Sequence, residues 1–351
     1  MKIVARGTNW VGDAVMTIPA LRELRRIFPD SHLTLSTRSW AKGIFEDADF
    51  IDEILSLDRE KNALQTALRQ AKIWREKRFD LAVLFPNSFE SAVLAKLGRV
   101  KIRFGYATDG RSFLLSDAVP VPDWKTQRHE IFYYLNLVAE LERALFGTTK
   151  VWESEPRFEL GVSEARKAGA RKILEQNGVD LSKKLFAFCP GSTNSRAKRW
   201  HTESFARLGD RLKCEFNAEI LLTGSPDELD VSMEVAAKMQ ESAILLTGKT
   251  SLAEATAILS VCDLLVSNDT GPAHIAAALG TKTLAIFGPT NPLTTKPFPA
   301  NAEIIYKKVE CSPCLLRECP IDHRCMTRIS AEEVFERTKE IFATNTENEH
   351  G

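Results

Sequence analysis

The sequence lacks an excess of charge of either sign and lacks long apolar runs. Its 351 residues contain 47 Lys and Arg against 47 Asp and Glu, so the formal net charge is zero. Such a chain has no overall field to attract nucleic acid or an anionic membrane, although local basic patches remain possible. Its strongest apolar runs, such as residues 81–85, have the length of a strand, whereas a membrane-spanning helix needs about 20 residues.

The start of the sequence also lacks the features of a secretory signal. Residues 1–7 form a short apolar strand closed by glycine, without the longer apolar stretch and cleavage site of a signal peptide. We therefore expect a cytoplasmic protein. Seven cysteines in a cytoplasmic chain of this length do not predict a disulfide framework.

The hydrophobic pattern predicts two α/β units. Short apolar runs alternate with longer segments of helical periodicity, which is typical of parallel sheets with crossover helices. The predicted strands are residues 2–6, 32–37, 52–55, 80–85 and 101–104 in the first half, and 185–189, 218–223, 243–246, 263–267 and 282–287 in the second. The predicted helices are residues 13–27, 128–145, 202–214, 227–239, 251–261 and 271–279, with a last helix from Ser330.

A polar stretch near residues 147–159 interrupts this alternation. It predicts a first domain at residues 1–160, a second at 161–329, and a C-terminal helix with a polar tail at 330–351. Two doubly wound units that face each other bind ligands in a cleft at the carboxyl ends of their strands. The residues that follow the strands are therefore the candidates for a functional site.

The first candidate motif is R-G-T-N-W-V-G-D-A-V-M at residues 6–16, which follows the first strand and opens a helix. It lacks the third glycine of the dinucleotide-binding fingerprint and the Lys-Ser/Thr pair of a P-loop. Because Asp13 would repel a nucleotide phosphate, we do not expect ATP or GTP at this loop. The Asp13 carboxylate is either a helix cap or a base that takes a proton from an attacking hydroxyl.

The second motif is P-G-S-T-N-S-R-A-K-R-W at residues 190–200, directly after the first strand of the second unit. Ser192 and Thr193 add hydroxyl groups to the amides of a turn, and three cations follow within four positions, namely Arg196, Lys198 and Arg199. This combination suits a diphosphate group. The alternative is a solvated basic loop.

The third motif is S-N-D-T-G-P-A-H at residues 267–274, between a strand and an Ala-rich helix. Pro272 fits the first helical turn, and Gly271 allows a ligand to approach the backbone closely. The first amides of the helix suit an anion such as a diphosphate, to which His274 can add a donor. The alternatives are that Asp269 caps the helix and that His274 packs in the core.

Two other strand ends of the second unit carry candidate residues. Glu228, in T-G-S-P-D-E at 223–228, is a candidate for ribose hydroxyls, unless this segment only caps the next helix through Ser225. Thr250, in G-K-T-S-L at 248–252, is a candidate for the nucleotide-base pocket, unless the segment is an ordinary loop with a helix cap.

A cysteine cluster lies near the C-terminus. Cys311, Cys314, Cys319 and Cys325 read C-x2-C-x4-C-x5-C, with His323 between the last two. The first pair has the spacing of zinc ligands, but the whole is more compact than zinc patterns with two separated pairs. The cluster holds either a structural metal or free thiols.

Together the strand-end motifs resemble the ADP-heptose:lipopolysaccharide heptosyltransferase family, which is glycosyltransferase family 9. The segments that carry the resemblance are N-W-V-G-D-A-V-M at 9–16, F-P-N-S-F-E-S-A at 85–92, P-G-S at 190–192, K-R-W at 198–200, L-T-G-S at 222–225, G-K-T-S-L at 248–252, S-N-D-T-G-P-A-H at 267–274 and G-P-T at 288–290. The first two are most similar to the heptosyltransferase II branch of the family, which adds the second heptose to the first.

The resemblance implies a GT-B fold, in which two Rossmann-like doubly wound α/β domains face a central cleft. It implies that the N-terminal domain binds the acceptor, lipid A–Kdo–heptose, and that the C-terminal domain binds the donor, ADP-L-glycero-β-D-manno-heptose. It also implies a single displacement with inversion at the anomeric carbon, without a metal or another cofactor. Because the acceptor is lipid-anchored, we expect peripheral contact with the cytoplasmic face of the inner membrane.

Matching the motifs position by position implies roles for single residues. Asp13 becomes the general base, and Lys198 becomes the cation that faces the departing ADP. The implied donor-binding residues are Ser192, Thr193, Lys198, Glu228, Thr250, Asp269, Thr270, Gly271 and His274. The implied acceptor-side residues are Asn9, Trp10, Asn87, Ser88 and Arg111. Further acceptor-side candidates are Arg103, Lys125, Arg128 and His129, each of which has a structural alternative.

Three other functions remain as alternatives at this point. A heptosyltransferase I or a later heptosyltransferase shares the donor motifs and differs in the acceptor. A nucleotide-sugar epimerase shares the GT-B fold and turns over the donor without an acceptor. A nicotinamide oxidoreductase is disfavoured by the missing glycine fingerprint.

Overall fold

The protein is described by a computed structural model covering residues 1–343. The polar tail predicted at residues 345–351 lies outside the described residues. The chain divides into two compact units, of which the first is Met1–Gly161 and the second begins at Val162. Among residues 1–343, no helix is long and apolar enough to cross a bilayer.

The first unit contains a parallel sheet of six strands in the order β3-β2-β1-β4-β5-β6. Its strands are β1 (Lys2–Arg6), β2 (His32–Thr37), β3 (Glu53–Ser56), β4 (Leu81–Leu84), β5 (Ile102–Tyr106) and β6 (Asp117–Val119). Its helices are α1 (Val11–Met16), α2 (Ile18–Ile27), α3 (Lys42–Phe45), α4 (Ala63–Lys77), α5 (Phe89–Leu97) and α6 (Glu130–Phe146).

The second unit contains another parallel sheet of six strands, in the order β12-β11-β10-β7-β8-β9. Its strands are β7 (Leu185–Cys189), β8 (Glu219–Leu222), β9 (Ile244–Leu245), β10 (Leu264–Asn268), β11 (Lys282–Phe287) and β12 (Ala302–Tyr306). Its helices are α7 (Glu164–Gln176), α8 (Thr202–Phe216), α9 (Leu229–Lys238), α10 (Leu252–Leu259), α11 (Gly271–Ala278), α12 (Pro292–Thr295), α13 (Arg324–Thr327) and α14 (Ala331–Ala343).

The predicted fold class is confirmed, because both sheets are parallel and their strands alternate with helices. The central strands β4 and β7 are buried at every position. A strand that is covered by helices on both faces needs apolar side chains on both, which explains why L-A-V-L and L-F-A-F-C are continuous apolar runs. Parallel pairing places the carboxyl ends of all six strands of a unit at one edge of its sheet.

The helix predicted at residues 13–27 is two helices, α1 and α2, separated at Thr17. The reason is Pro19, which has no backbone N–H to continue the hydrogen bonds of α1 and instead occupies the first turn of α2. The Thr17 hydroxyl closes the end of α1 by donating to the Ala14 carbonyl at 2.6 Å. The break allows α1 and α2 to follow different directions.

The edge strands β6 and β12 were not predicted from the sequence. β6 has only three residues, two of them exposed, and four of the five residues of β12 are half-buried. An edge strand pairs on one side only and tolerates polar side chains, so its sequence lacks the apolar run that marks a central strand.

An ion pair between the exposed Arg26 and the buried Glu142 links α2 to α6 in the first unit. Arg26 donates to both carboxylate oxygens of Glu142, at 2.9 and 3.0 Å. The same carboxylate accepts hydrogen bonds from the Thr149 hydroxyl at 2.9 Å and the Lys150 backbone N–H at 2.8 Å. Burial alone would raise the pKa of Glu142, but these donors outweigh it and lower the pKa to about 2.

We predict that Glu142→Gln lowers the free energy of unfolding at pH 7 by about 1–2 kcal/mol, because the amide weakens the bonds that the buried carboxylate accepts, while the exposed Arg26 keeps Glu23 as an ionic partner. A lowered folded-state pKa contributes stability above the unfolded-state value, near pH 4.3, and this contribution disappears as the pH falls towards 2. Urea unfolding of both proteins between pH 7 and pH 2.5 should therefore show a shrinking difference. A difference that is the same at every pH would contradict the assignment.

Candidate active site

The strongest candidate site of the second unit lies at the carboxyl ends of β7, β10 and β11. Lys198 follows β7, Asp269 follows β10 and Thr290 follows β11. The Lys198 ammonium lies 2.8 Å from Asp269 Oδ2 and also donates to the Asp269 carbonyl at 3.1 Å. The Thr290 hydroxyl donates to the same Oδ2 at 2.7 Å. Three strand ends therefore converge on one carboxylate.

Asp269 and Lys198 differ in their exposure to solvent, which indicates different roles. Asp269 is only 5% exposed, whereas 26% of the Lys198 side chain is exposed. Two directions of the Lys198 ammonium are occupied by Asp269, so this group, which has three donors, keeps one for a ligand. The geometry suits a carboxylate that holds the lysine in place and a lysine that faces an anion.

The helix that follows Asp269 supplies a second attraction for an anion. The N-cap of α11 is Thr270, and no side chain forms a cap hydrogen bond there. The alternative that Asp269 caps this helix is therefore wrong. Gly271 and Pro272 open the helix and are half-buried, so its positive end is accessible. His274 is 4% exposed and lies within the helix, as its core alternative predicted.

Asn268 holds the loop of this site in place, although the sequence analysis did not single it out. Its side chain is fully buried and donates to the carbonyls of Pro190 and Gly191 at 2.8 and 3.1 Å. Its Oδ1 accepts the backbone N–H of Trp200 at 2.9 Å. One amide thus fixes both ends of the loop that carries Lys198. The signal was its position inside S-N-D-T-G at the end of a strand.

The other cations and hydroxyls of the basic loop are used in different ways. Arg199 turns inward and donates to the Ser192 carbonyl at 3.1 and 3.3 Å, while Ser192 itself is 4% exposed. Thr193 is exposed, and its hydroxyl lies 3.3 Å from that of Ser225. Arg196 remains exposed. The loop is therefore an ordered structure around Lys198 rather than a solvated basic segment.

Glu228 forms the helix cap that its structural alternative predicted, while its binding to ribose hydroxyls stays a prediction. One carboxylate oxygen accepts the backbone N–H and the hydroxyl of Ser225, at 2.7 and 3.0 Å, so the segment is a helix cap as the alternative proposed. The same carboxyl group packs directly against Gly191, where the Cβ of any other residue would collide with Glu228 Cδ. Glycine at 191 is thus required for the carboxylate to reach the end of β7.

Thr250 lies at the carboxyl edge near β9, directly before a helix cap. Ser251 accepts the Glu254 backbone N–H at 3.2 Å and Glu254 Oε2 accepts the Ser251 N–H at 2.7 Å, which forms a capping box for α10. Thr250 itself is half-buried. Its assignment to a base pocket stays a prediction.

The first unit places Asp13 at the carboxyl edge of its own sheet. The residue lies in the first turn of α1 and is half-exposed. The N-cap of α1 is Trp10, without a side-chain cap bond, and Asp13 is the third residue of the helix, so both of its predicted roles, helix cap and base, stay predictions. Asn9 and Trp10 precede it in the exposed turn after β1, with Trp10 56% exposed.

Glu130 is a second carboxylate near Asp13 that sequence reasoning missed. It is the first residue of α6 and is half-buried. Burial raises the pKa of Glu130, Lys125 lowers it and the Asp13 carboxylate raises it. The only sequence signal was its place after His129, which caps α6 by accepting the Ile131 N–H at Nδ1, 3.3 Å away. The capping alternative for His129 thus agrees with the structure.

The segment after β4 brings Asn87 and Ser88 to the same edge. Asn87 Oδ1 accepts the Tyr133 hydroxyl at 3.0 Å, and the Ser88 carbonyl accepts a bond from Arg111 at 3.1 Å. Both residues are half-buried. Their positions are therefore fixed by helix α6 and by the loop that carries Arg111.

The expectation that Arg111 meets the acceptor directly needs correction. Arg111 is fully buried, and its guanidinium donates to the carbonyls of Pro86, Ser88 and Tyr106 and to the Ser91 hydroxyl. Burial lowers the pKa of Arg111 to about 10. Its role is to position the segment that carries Asn87 and Ser88.

Arg103 is half-buried and directs part of its guanidinium to backbone carbonyls, whereas two other cations lie at the surface. Arg103 donates to the carbonyls of Val100, Lys101 and Leu114. The Lys125 ammonium lies 4.3 Å from the centre of the Tyr133 ring, and the Arg128 guanidinium lies 4.3 Å from that of Phe132. Cations above ring faces keep their charge accessible to solvent.

The cysteine cluster packs against the Lys198 site. All four thiols are free, with Cys311 and Cys314 exposed and Cys325 buried. Among residues 1–343, no three or more His, Cys, Asp or Glu side chains are arranged to hold a metal ion. Burial raises the pKa of the Cys325 thiol to about 11, with further contributions from the other three.

The backbone of this segment, here called the cysteine-rich strap (residues 309–325), reaches both loops around Lys198. The Ala197 N–H donates to the Arg317 carbonyl at 3.0 Å, and the Leu315 N–H donates to the Pro289 carbonyl at 2.8 Å. A ring nitrogen of His323 lies 2.7 Å from the Ala197 carbonyl. The strap thus borders the loops that carry Lys198 and Thr290.

The model of glycosyltransferase family 9 (heptosyltransferase) matches residues 67–324. The chain belongs to this family. The predicted membership of this family is thereby confirmed, and the protein is a glycosyltransferase.

Two curated relatives match this glycosyltransferase over most of its length. Lipooligosaccharide heptosyltransferase 2 of Haemophilus influenzae is 27% identical over 98% of this chain and 100% of its own. Lipopolysaccharide heptosyltransferase 2 of Escherichia coli is 28% identical over 87% of this chain and 88% of its own. The solved structure of E. coli ADP-heptose lps heptosyltransferase II superposes with a TM-score of 0.85 at 25% identity, over 99% of this chain and 100% of that one.

We predict that Asn268→Ala lowers the free energy of unfolding of this glycosyltransferase by about 2–4 kcal/mol, because it leaves buried backbone groups at residues 190, 191 and 200 without partners. The matched control is Asn177→Ala, since Asn177 is exposed and its side chain donates to the Ile173 carbonyl of the preceding helix. Its effect should stay within about 0.5 kcal/mol. Equal effects of the two variants in urea unfolding would contradict the role of Asn268.

Proposed function

We propose that the protein is a heptosyltransferase II, which transfers L-glycero-D-manno-heptose from ADP-L-glycero-β-D-manno-heptose to the first heptose of the lipopolysaccharide inner core. The near full-length similarity to enzymes named heptosyltransferase 2 supports this choice within family 9. The observation that carries the chemistry is the exposed Lys198 ammonium, held by Asp269 beside the uncapped start of α11. This arrangement suits the diphosphate of a nucleotide-sugar donor.

On the donor side, negative charge builds on the diphosphate as the bond to the anomeric carbon breaks. Lys198 and the positive end of α11 oppose that charge, and both are held in place before the reaction. Asp269 keeps Lys198 in position through a bond that the Thr290 hydroxyl reinforces. Thr270 and Gly271 complete the α11 part of the donor site, and the buried His274 supports the helix from the core side, while Ser192 shapes the basic loop through its carbonyl.

The remaining donor residues bind the nucleoside. Glu228 reaches the end of β7 beside Gly191 and accepts ribose hydroxyls, and Thr193 lies in contact with the same segment through Ser225. Thr250 borders the base. Each of these assignments places a polar side chain at a different carboxyl strand end of the second sheet, where doubly wound folds bind nucleotides.

On the acceptor side, Asp13 takes the proton from the attacking hydroxyl. A carboxylate in the first turn of a helix stays ionised and is a weak base, so it accepts the proton late, when the new bond is largely formed. Asn9, Trp10, Asn87 and Ser88 bind the acceptor sugars at the same edge, and Arg111 positions the last two. The displacement inverts the anomeric configuration and uses no metal or other cofactor.

The proposed acceptor places the reaction at the cytoplasmic face of the inner membrane. Lipid A–Kdo–heptose is anchored in that bilayer, and the enzyme contacts it as a peripheral protein. Nucleic acid is not a proposed partner, because neither the donor nor the acceptor is a nucleic acid and the chain has no net charge to attract a polyanion.

The first test measures ADP release from ADP-heptose with lipid A–Kdo acceptors that carry either no heptose or one heptose. We expect release only with the one-heptose acceptor. Release with the heptose-free acceptor would identify a heptosyltransferase I, and donor turnover without any acceptor would identify an epimerase.

Asp13→Ala and Asp13→Asn should lower kcat about 10²–10⁴-fold while ADP binding changes little, because the carboxylate acts on the acceptor proton alone. Single-turnover kinetics and ADP titration separate these effects. A loss of ADP affinity that equals the loss of rate would remove Asp13 from the role of base.

Lys198→Met should lower kcat about 10²–10³-fold, because the developing charge on the diphosphate loses its preorganised cation. The matched control is Lys172→Met, which removes an exposed lysine from α7 in the same unit. The donor site is misassigned if Lys198→Met retains the wild-type kcat while the one-heptose acceptor is turned over.

A further inference from the structure

Exposed aromatic side chains follow three neighbouring strands of the first sheet. Trp10 follows β1, Phe89 follows β4 and Phe113 follows β5, and these strands are adjacent in the order β1-β4-β5. Their exposed fractions are 56%, 41% and 73%. The rings of Phe89 and Phe113 lie 6.1 Å apart between centroids. We call these three residues the aromatic patch.

Cations follow the strands on both sides of the aromatic patch. Arg38 and Arg59 come after β2 and β3 on one side, and Lys125 and Arg128 come after β6 on the other. Arg59 pairs with Glu90, while the Arg128 guanidinium lies above aromatic rings and is exposed. Along this edge cations thus lie on both sides of the aromatic patch, while the exposed carboxylates of Glu90 and Asp109 lie beside Phe89, with Asp109 accepting its backbone N–H.

Exposing two large rings to water is unfavourable, because the free energy gained by burying their apolar surface is lost. An anionic bilayer surface favours both parts. Aromatic side chains are enriched at the level of the lipid headgroups, and lysine and arginine are attracted to anionic headgroups. A sugar alone would meet the polar residues of this edge without needing two apolar rings that project into solvent.

We propose that Phe89 and Phe113 of the aromatic patch dock into the interface of an anionic lipid bilayer, with the flanking cations on the headgroups, while Trp10 faces the acceptor sugars beside them. Membrane docking rests on the proposed function in one respect, because a lipid-anchored acceptor brings the enzyme to a membrane. Docking by this edge presents the carboxyl ends of β1 and β4, and with them Asp13 and Asn87, to a sugar that projects from the bilayer.

The test uses flotation with vesicles that contain no acceptor. The wild-type protein should float with vesicles of phosphatidylcholine containing about 30% phosphatidylglycerol, and less with phosphatidylcholine alone, with binding that weakens as salt rises. The double variant Phe89→Ser, Phe113→Ser should lower binding roughly tenfold. Its matched control is Phe146→Ser, because Phe146 is 61% exposed and has a ring partner, Phe28, at 6.4 Å.

The charge component is tested separately. Arg128→Gln should weaken binding to the anionic vesicles about fivefold and leave binding to neutral vesicles unchanged. Arg143→Gln is its control, since Arg143 is exposed in the last turn of the same helix, α6. Equal effects of the two variants would overturn the role of the flanking cations.

Activity with a delipidated one-heptose acceptor separates membrane docking from sugar binding. The double variant should keep wild-type kcat/KM on this water-soluble acceptor and lose activity on vesicle-borne acceptor. Failure of the wild type to bind acceptor-free vesicles would overturn docking, as would an equal loss of activity on both acceptors or a solution dimer that the double variant abolishes. If the wild type floats but transfers no heptose, the docking surface stands and the proposed function fails.

Discussion

The bond between the buried Asp269 carboxylate and the Lys198 ammonium is the interaction on which the proposed donor site of the second unit depends. A lysine side chain is long and flexible, so a cation that must meet a developing charge has to be held in place beforehand. The carboxylate holds it at 2.8 Å. Asn268 in turn fixes the loop that brings the lysine there, through three bonds to residues 190, 191 and 200.

This support explains why three parallel strands are needed for one cation. β7 supplies the loop with Lys198, β10 supplies Asn268 and Asp269, and β11 supplies Thr290. Parallel pairing brings their carboxyl ends to one edge although they lie far apart in the sequence. None of these chain segments forms the site by itself, and the site exists only because the sheet has this order.

The sequence predicted the central strands and placed most candidate site residues directly after them, because apolar runs and the polar motifs that follow them are strong local signals. Buried parallel strands such as β4 and β7 are continuous apolar runs, and the residues directly after them include Lys198, Asp269 and Asn87. The edge strands β6 and β12 lack that run. The break at Pro19 was overlooked because the apolar spacing of residues 15, 18, 21 and 24 continues across it.

Side-chain direction is what the sequence could not supply. Arg111 and Arg128 are both arginines near the acceptor edge, yet the first is fully buried among carbonyls and the second lies above exposed rings. No sequence pattern marked Glu130 as a site residue, because its proximity to Asp13 arises from the packing of α6 against α1. Asn268 was hidden for a related reason, since its partners lie far from it in the sequence.

The cysteine-rich strap has a consequence for how the protein is made. Its backbone at residues 315 and 317 bonds the loops that carry Thr290 and Lys198. On the ribosome, strands β7, β10 and β11 are complete before the strap has been synthesised. A nascent chain can therefore form the second sheet while the loops that carry Lys198 and Thr290 still lack their bonds to the strap. The loops that carry Lys198 and Thr290 therefore gain these backbone partners only after residues 315 and 317 have left the exit tunnel.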